Sequence, residues 1–213
     1  MYLIAGTLKP HTWQVFGLPC VRFVVTNTKT MKYNIIYADP PWQYRDKKKT
    51  GRTACGAENH YPCMSLDELK TLEIPAADNC VLFMWATFPL LPDALELIEA
   101  WGFKYKTLGF SWIKTNKDGS IWHGVGTYAK SNCEVCLMAT RGTVGRLRGV
   151  RVISNFVSSA ILAPRGKHSA KPVEVRDRIV ELFGDLPRVE LFARTPAPGW
   201  DVFGNEVEDS IEL

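Results

Sequence analysis

The chain has 213 residues, which is enough for one domain with a full hydrophobic core. Hydrophobic residues make up 46% and charged residues 23%, a composition that excludes disordered and collagen-like chains. The formal net charge of +4 permits a nucleic-acid partner without requiring one. No apolar run approaches the roughly 18 residues of a membrane-spanning helix, so no membrane partner is expected.

The six cysteines do not form the pattern of a disulfide-stabilised secreted domain, and no signal peptide precedes them. We therefore expect a cytoplasmic protein. Cys133 and Cys136 have a C-x-x-C spacing, but they lie in an apolar run and have no second ligand pair at zinc-finger spacing. We interpret them as small buried hydrophobic residues, and no metal site is predicted.

The first clear element begins at Tyr33. Residues 1–31 are predicted to be an N-terminal extension or an additional strand, followed by a single domain over residues 32–213. The run Y-N-I-I-Y-A at 33–38 is short, apolar and rich in Ile and Tyr, so it predicts a buried strand. It leads directly into Asp-Pro-Pro-Trp at 39–42, where the two prolines end the strand in a rigid extended turn.

The rest of the chain alternates between predicted loops, helices and strands. Ser65 and Glu68 have the spacing of a capping box and predict the start of a short helix. Further strands are predicted at 80–86, 105–114, 134–140 and 188–194, extended chain at 152–163, and helices from Pro92 to Gly102 and from Pro172 to Gly184. This alternation predicts a doubly wound α/β sheet, whose ligand site lies beyond the carboxyl ends of the strands. Asp39 and the segment after Arg194 should therefore share one edge of the sheet.

The Asp-Pro-Pro-Trp turn suits the modification of an exocyclic amine on a base. Such an amine is a poor nucleophile because its lone pair is delocalised into the ring. Asp39 and the backbone carbonyl of Pro40 would accept hydrogen bonds from its two N–H groups and move the nitrogen toward tetrahedral geometry. Neither Pro40 nor Pro41 carries a competing N–H. Trp42, together with Tyr44, would give a flipped-out base an aromatic face. A simple turn after a strand is the alternative interpretation.

Two groups of basic residues are candidates for contact with phosphates. Arg45, Lys47 and Lys48 follow the turn directly in a glycine-containing stretch without periodicity, so phosphate contact is favoured there over a solvated loop. A second group, in which arginines alternate with glycines, suits tracking of a nucleic-acid backbone, and a plain exposed hairpin is an equal alternative. Its arginines are Arg141, Arg146, Arg148 and Arg151.

A series of motifs recurs in a fixed order along the chain. They are A-D-P-P-W at 38–42, H-Y-P-C-M-S at 60–65, L-F-M-W-A-T at 82–87, W-I-K-T-N at 112–116, E-V-C-L at 134–137, H-S-A-K-P at 168–172, V-E-L-F-A-R at 189–194 and G-W-D-V-F-G-N-E at 199–206. Together they resemble the MT-A70 family of adenine N6-methyltransferases, in the compact form found in phages and bacteria. The resemblance covers roughly Tyr33 to Val207. It implies an α/β, Rossmann-like fold that depends on S-adenosylmethionine, with the catalytic motif placed before the cofactor strand.

The resemblance also assigns roles to matching positions. Asp39, Pro40, Pro41 and Trp42 match the catalytic motif of the family. The cofactor-binding residues it implies are Asp39, Lys171, Arg194, Asn205 and Glu206. The substrate-binding residues it implies are Tyr61, Lys114 and Glu134, in addition to Tyr44 and the basic residues after the motif. Glu206 departs from the glutamine that members often carry, and Pro196 and Ala197 replace a histidine and an asparagine found in some members.

The sequence therefore predicts transfer of a methyl group from S-adenosylmethionine to the N6 amine of adenine, with DNA favoured as the substrate. The same reaction on RNA and a catalytically inactive, nucleic-acid-binding scaffold subunit are the alternatives. Because no separate target-recognition domain is evident, specificity is expected from loops at about 43–62 and 115–131, or from a homodimer or partner subunit. The expected location is the cytoplasm of a bacterium or of a phage-infected host cell.

Overall fold

A seven-stranded sheet forms the centre of the protein in the computed structural model, which describes residues 31–43, 63–126, 128–166, 170–211 and 213. In chain order the strands are β1 (Tyr33–Ala38), β2 (Ala76–Ala86), β3 (Lys104–Thr115), β4 (Cys133–Arg141), β5 (Val144–Gly145), β6 (Val150–Arg151), β7 (Ala160–Pro164), β8 (Arg188–Leu191) and β9 (Asp201–Phe203). The order across the sheet is β7-β3-β4-β2-β1-β8-β9, and β5 and β6 pair separately.

The described residues form three α-helices, α1 (Leu66–Lys70), α2 (Leu91–Ala100) and α3 (Glu174–Phe183). The capping box predicted before α1 is confirmed, because the Ser65 hydroxyl accepts from the Glu68 N–H and the Glu68 carboxylate accepts from the Ser65 N–H. The predicted end of α3 is also confirmed, with Gly184 as its C-cap at φ 84°. None of these helices has the length and apolar character needed to cross a membrane.

The sheet separates two hydrophobic cores. On one face, α1 and α2 pack with Ile36 and Leu82, and on the other face α3 packs with Ile35 and Val81. Neighbouring residues of β1 and β2 thus point to opposite faces, as the pleat of a strand requires. Helices cover both faces, so the predicted doubly wound α/β architecture is confirmed. Cys136 is fully buried in the second core, as expected from its apolar surroundings, whereas Cys133, at the start of β4, is only partly buried.

The direction of the strands brings the predicted site residues to one edge of the sheet. β1 is parallel to β2 and β8, so Asp39 and the chain after Leu191 emerge on the same side. We call this side the active edge. β4 runs antiparallel to β2, and its first residues, including Glu134, therefore also lie at the active edge. The sheet is mixed rather than all parallel. The antiparallel direction of β4 therefore places Glu134, near the start of its strand, beside residues that follow the ends of β1 and β8.

Two extended segments are shorter than the sequence predicted. The strand predicted at 188–194 ends at Leu191, because Phe192 has a φ of 63°, which is left-handed and incompatible with a strand. The extended chain predicted at 152–163 forms a strand only at 160–164. The left-handed conformation of Phe192 is not revealed by its residue type.

Gly142→Ala is expected to lower the free energy of unfolding by about 1–3 kcal/mol, because the position has a left-handed φ of 63°. An added Cβ would also lie 2.0 Å from the Asp78 carbonyl oxygen. Gly145→Ala, in the same segment, is the control, since its added Cβ would meet no atom within 4 Å. Denaturant unfolding of both variants measures the difference, and equal losses would contradict the expectation.

Candidate active site

The Asp-Pro-Pro-Trp turn is fixed by hydrogen bonds as well as by its two proline rings. β1 delivers Asp39 to the active edge. The Trp42 N–H donates to the Pro40 carbonyl at 2.8 Å, and the Pro41 carbonyl accepts from the Met64 N–H at 2.9 Å. The Pro40 carbonyl keeps a second lone pair, so it can still accept a hydrogen bond from an amine. The turn thus presents a carboxylate and a carbonyl in a restrained geometry.

Trp42 anchors this turn in the core. Its side chain is 7% exposed and packs in the core on the side of α1 and α2. Its indole N–H donates to the Trp85 carbonyl at 3.1 Å, which satisfies the one polar group of the ring. The geometry therefore supports a role for Trp42 in holding the turn, and its stacking on a target base stays a prediction.

Four charged side chains of alternating sign run through the site: Lys114, Glu134, Lys171 and Asp39. We call them the charge chain. The Lys171 ammonium lies 2.7 Å from Asp39 Oδ1 and 3.4 Å from Glu134 Oε2, and the Lys114 ammonium donates to Glu134 Oε1. Each of the four side chains is at most 17% exposed. The structure thus brings a predicted catalytic residue, a predicted cofactor residue and two predicted substrate residues into direct contact.

The charge chain stabilises the charged forms of its two central members, Lys171 and Glu134. Burial favours the neutral form of Lys171, but attraction to Asp39 and Glu134 outweighs it and raises the pKa of the ammonium above its usual range. Burial likewise favours neutral Glu134, but Lys171 and Lys114 outweigh it and lower the pKa of the carboxyl. Each charge is therefore stabilised by its neighbours rather than by water.

Lys114 also lies among aromatic rings. Its ammonium is 5.1 Å from the ring centroid of Trp112 and 5.7 Å from that of Trp122. The guanidinium of Arg165 lies 3.9 Å from the Trp122 ring, and Arg165 is exposed. These distances are within the range of cation–π attraction. Trp122 and Arg165 therefore extend the site from the charge chain to the protein surface.

Two adjoining pockets open at the active edge. The first is lined by Asp39, Pro40, Pro41, Phe192, Ala193, Arg194, Asn205 and Glu206. The second is lined by Tyr37, Asp39, Ala170, Lys171, Pro172, Val173, Arg176, Glu190, Phe192, Arg194 and Thr195. Asp39, Phe192 and Arg194 belong to both walls. The five predicted cofactor residues all lie on one or both of these walls, and the Arg194 guanidinium is 3.9 Å from the Glu206 carboxylate.

Sequence reasoning missed Glu190 and Arg176 on the wall of the second pocket. The Glu190 carboxylate is buried and accepts a hydrogen bond from the Arg176 guanidinium. Burial raises the pKa of Glu190, although Arg176 opposes the shift. A charged residue in the apolar run V-E-L-F was the available signal, because an acidic side chain is rarely buried without a partner.

The predicted substrate-binding residues fall into two groups. Lys114 and Glu134 lie in the charge chain, beside the predicted catalytic carboxylate. The others lie outside the described residues, and their roles stay predictions; they are Tyr44, Arg45, Lys47, Lys48 and Tyr61.

Comparison with known proteins identifies the family of this chain. The MT-A70 family model matches residues 33–206, so the chain belongs to the MT-A70 family. The Type II methyltransferase M.MunI of a Mycoplasma species is 37% identical over 195 residues, which cover 84% of this chain and 79% of that protein. The human N(6)-adenosine-methyltransferase catalytic subunit METTL3 is 28% identical over 187 residues, covering 85% of this chain and 29% of that protein. The human N(6)-adenine-specific methyltransferase METTL4 is also 28% identical, over 204 residues that cover 89% of this chain and 40% of that protein.

Proposed function

We propose that the protein transfers the methyl group of S-adenosylmethionine to the N6 amine of adenine in DNA. The observation that carries the proposal is the position of Asp39. Its carboxylate follows the central strand β1, forms part of the wall of both pockets and is in contact with Lys171. A cofactor in one pocket and a base at the pocket mouth would therefore meet at this carboxylate.

The donor and acceptor groups around the pockets fit S-adenosylmethionine. The cofactor carries a sulfonium cation, an amino-acid carboxylate and ribose hydroxyls, and it would supply an electrophilic methyl group. Lys171 offers an ammonium to the carboxylate, and the acidic groups of Asp39 and Glu190 offer a negative environment for the cation. Arg194, Asn205 and Glu206 offer partners to the hydroxyls.

Asp39 would activate the adenine amine by accepting from one of its N–H groups. An ionised carboxylate has about four acceptor positions, and Lys171 occupies only part of them. The Pro40 carbonyl would accept from the second N–H. Because the turn is already restrained, these acceptors need little rearrangement when the amine becomes tetrahedral, which is how preorganised groups lower a barrier.

DNA is the favoured substrate because the relative with the higher identity is a Type II methyltransferase, M.MunI, whereas the relatives named for adenosine are less similar. Trp122 and Arg165 would contact the strand next to the target base. Further contacts would come from the predicted loops, or from a second copy or partner subunit. The cytoplasm of a bacterium or an infected host cell is the location that fits this substrate.

The test is to incubate the protein with labelled S-adenosylmethionine and matched DNA and RNA oligonucleotides. The products are digested to nucleosides and identified by mass spectrometry, and cofactor binding is measured by calorimetry. We expect N6-methyldeoxyadenosine from DNA. N6-methyladenosine from RNA alone would overturn the choice of substrate. Cofactor binding with no methylated adenine in any substrate would favour an inactive scaffold subunit and overturn the proposal.

A further inference from the structure

We propose that a second surface, on the edge of the sheet opposite to Asp39, binds the phosphate backbone of nucleic acid. We call it the arginine surface. Its members are Lys104, Lys106, Arg141, Arg146, Arg148 and Arg151, all of them exposed. Neither a cofactor nor a flipped base is needed for this binding, so the inference does not depend on the reaction at the active edge.

The pairing of the strands fixes the position of this surface. Arg141, at the end of β4, is paired with Cys80, and Lys104, at the start of β3, is paired with Thr140. Glu134 lies at the other end of β4, in the charge chain. From Glu134 to Arg141 the strand extends roughly 23 Å at about 3.3 Å per residue. The arginine surface is therefore too far away to contact the phosphates next to an adenine in the active site.

The segment that carries Arg146, Arg148 and Arg151 is held in a defined conformation. Its start is tied to β2, because the Thr143 N–H donates to the Asn79 side-chain oxygen at 2.7 Å. The Thr143 carbonyl then accepts from the Val150 N–H at 3.1 Å, which closes the loop. The exposed arginines therefore leave a restrained turn, so their backbone loses little freedom when they bind.

The charges of the arginine surface are not neutralised within the described part of the chain. None of its six side chains forms an ion pair there, whereas Arg176, Arg178 and Arg188 each pair with a carboxylate. Among the acidic residues, Asp78 lies beside the surface, where its backbone contacts Gly142. A cluster of cations that form no ion pairs attracts a polyanion over several ångströms.

The side chains favour phosphates over an acidic protein as the partner. Arginine presents a planar fork of donors that matches a phosphate group. Protein interfaces are usually anchored by a buried apolar centre. Here three large hydrophobic residues are exposed beside the cations: Leu147 at 90%, Ile153 at 61% and Tyr105 at 43%. The six cations outnumber these exposed hydrophobic residues, and this balance favours a nucleic-acid contact over a protein contact.

The consequence is that the protein would hold a second segment of nucleic acid while its active edge engages a target. The test uses a labelled duplex made only of G·C pairs, which contains no target adenine. Fluorescence anisotropy at several salt concentrations compares the wild type with an R146Q/R148Q/R151Q variant. We expect the glutamine variant to bind more weakly. The slope of the logarithm of its binding constant against the logarithm of salt concentration should be less negative by about 2–3, since each phosphate contact contributes about 0.9.

An R146K/R148K/R151K variant is the matched control, because it keeps a positive charge at each of the three substituted positions. We expect its affinity to stay within threefold of the wild type. Methylation of a short adenine-containing duplex should proceed at the same kcat in all three proteins, which separates this surface from the active edge. An unchanged affinity and salt slope in the glutamine variant would overturn the inference, and so would a kcat that falls together with binding.

Discussion

Asp39→Asn is expected to reduce the single-turnover rate of methyl transfer by about 100- to 1000-fold, the effect of losing one preorganised electrostatic group. Asparagine has nearly the same size but no charge, and its amide presents a donor where the adenine amine also presents donors. The reacting nitrogen would therefore lose an acceptor as it becomes tetrahedral. Rates are measured with saturating S-adenosylmethionine and a short duplex, and product is identified as N6-methyldeoxyadenosine.

Asp185→Asn is the matched control for this experiment. Asp185 is also an acidic residue paired with a cation, Arg188, but it lies between α3 and β8, away from the active edge. We expect its rate to match the wild type. Circular dichroism checks that both variants are folded. An Asp39→Asn protein that retains the rate within threefold would contradict the role assigned to this carboxylate.

Lys171→Met is expected to lower the free energy of unfolding at neutral pH by about 3–5 kcal/mol, the usual cost of removing one partner from a buried ion pair. Asp39 and Glu134 would then lie close together without the ammonium that separates their charges. The same change removes the group proposed to bind the carboxylate of the cofactor. Denaturant unfolding measures the stability, and calorimetry measures the loss of cofactor affinity.

The stability difference between wild type and Lys171→Met should depend on pH in a defined direction. The pKa of Glu134 is lowered in the folded protein, so its stabilisation is present above about pH 4.3, the ordinary value for glutamate, and is lost as the pH falls through the folded pKa. The pKa of Lys171 is raised, so its stabilisation is present below about pH 10.4 and is lost only at higher pH. The difference should therefore be largest between these limits and shrink in acid.

Two further variants test this interpretation. Lys171→Met combined with Asp39→Asn should recover part of the stability, since Asp39 is the carboxylate that loses its partner, whereas Glu134 keeps its ion pair with Lys114. Lys70→Met removes a lysine paired with Glu96 at the surface, where water already screens the charges, and should change stability little. If Lys70→Met cost as much as Lys171→Met, or if the loss at Lys171 were the same at acid and neutral pH, the charge chain would not be the cause.

The positions of the core strands could be predicted from the sequence because local patterns determine them. The apolar runs that become β1 and β2 are bounded by polar residues, and the helices carry their own signals, such as Ser65 before α1 and Gly184 after α3. The shared edge of Asp39 and Arg194 followed from one general rule about α/β sheets. Local sequence patterns and one topological rule were therefore enough to predict the core strands and the common location of Asp39 and Arg194.

The contacts within the site could not be predicted in this way because they depend on long-range pairing. Nothing in the run E-V-C-L indicates that β4 is antiparallel to β2, and this direction is what brings Glu134 to Lys171. The resemblance assigned Lys171 to the cofactor, a role that stays a prediction, but it gave no indication that Lys171 forms ion pairs with Asp39 and Glu134. The left-handed φ of Phe192, which ends β8, is also invisible in the residue type.

The antiparallel pairing of β3 and β4 has a consequence for engineering which nucleic-acid sequence the protein recognises. The two strands form a long hairpin, and the described parts of its connection, residues 116–126 and 128–132, lie at the active edge. Insertions or replacements in this connection would alter what meets the base while every strand keeps its register. We therefore expect that grafting this connection from a relative would change the recognised sequence without changing the pairing of the strands.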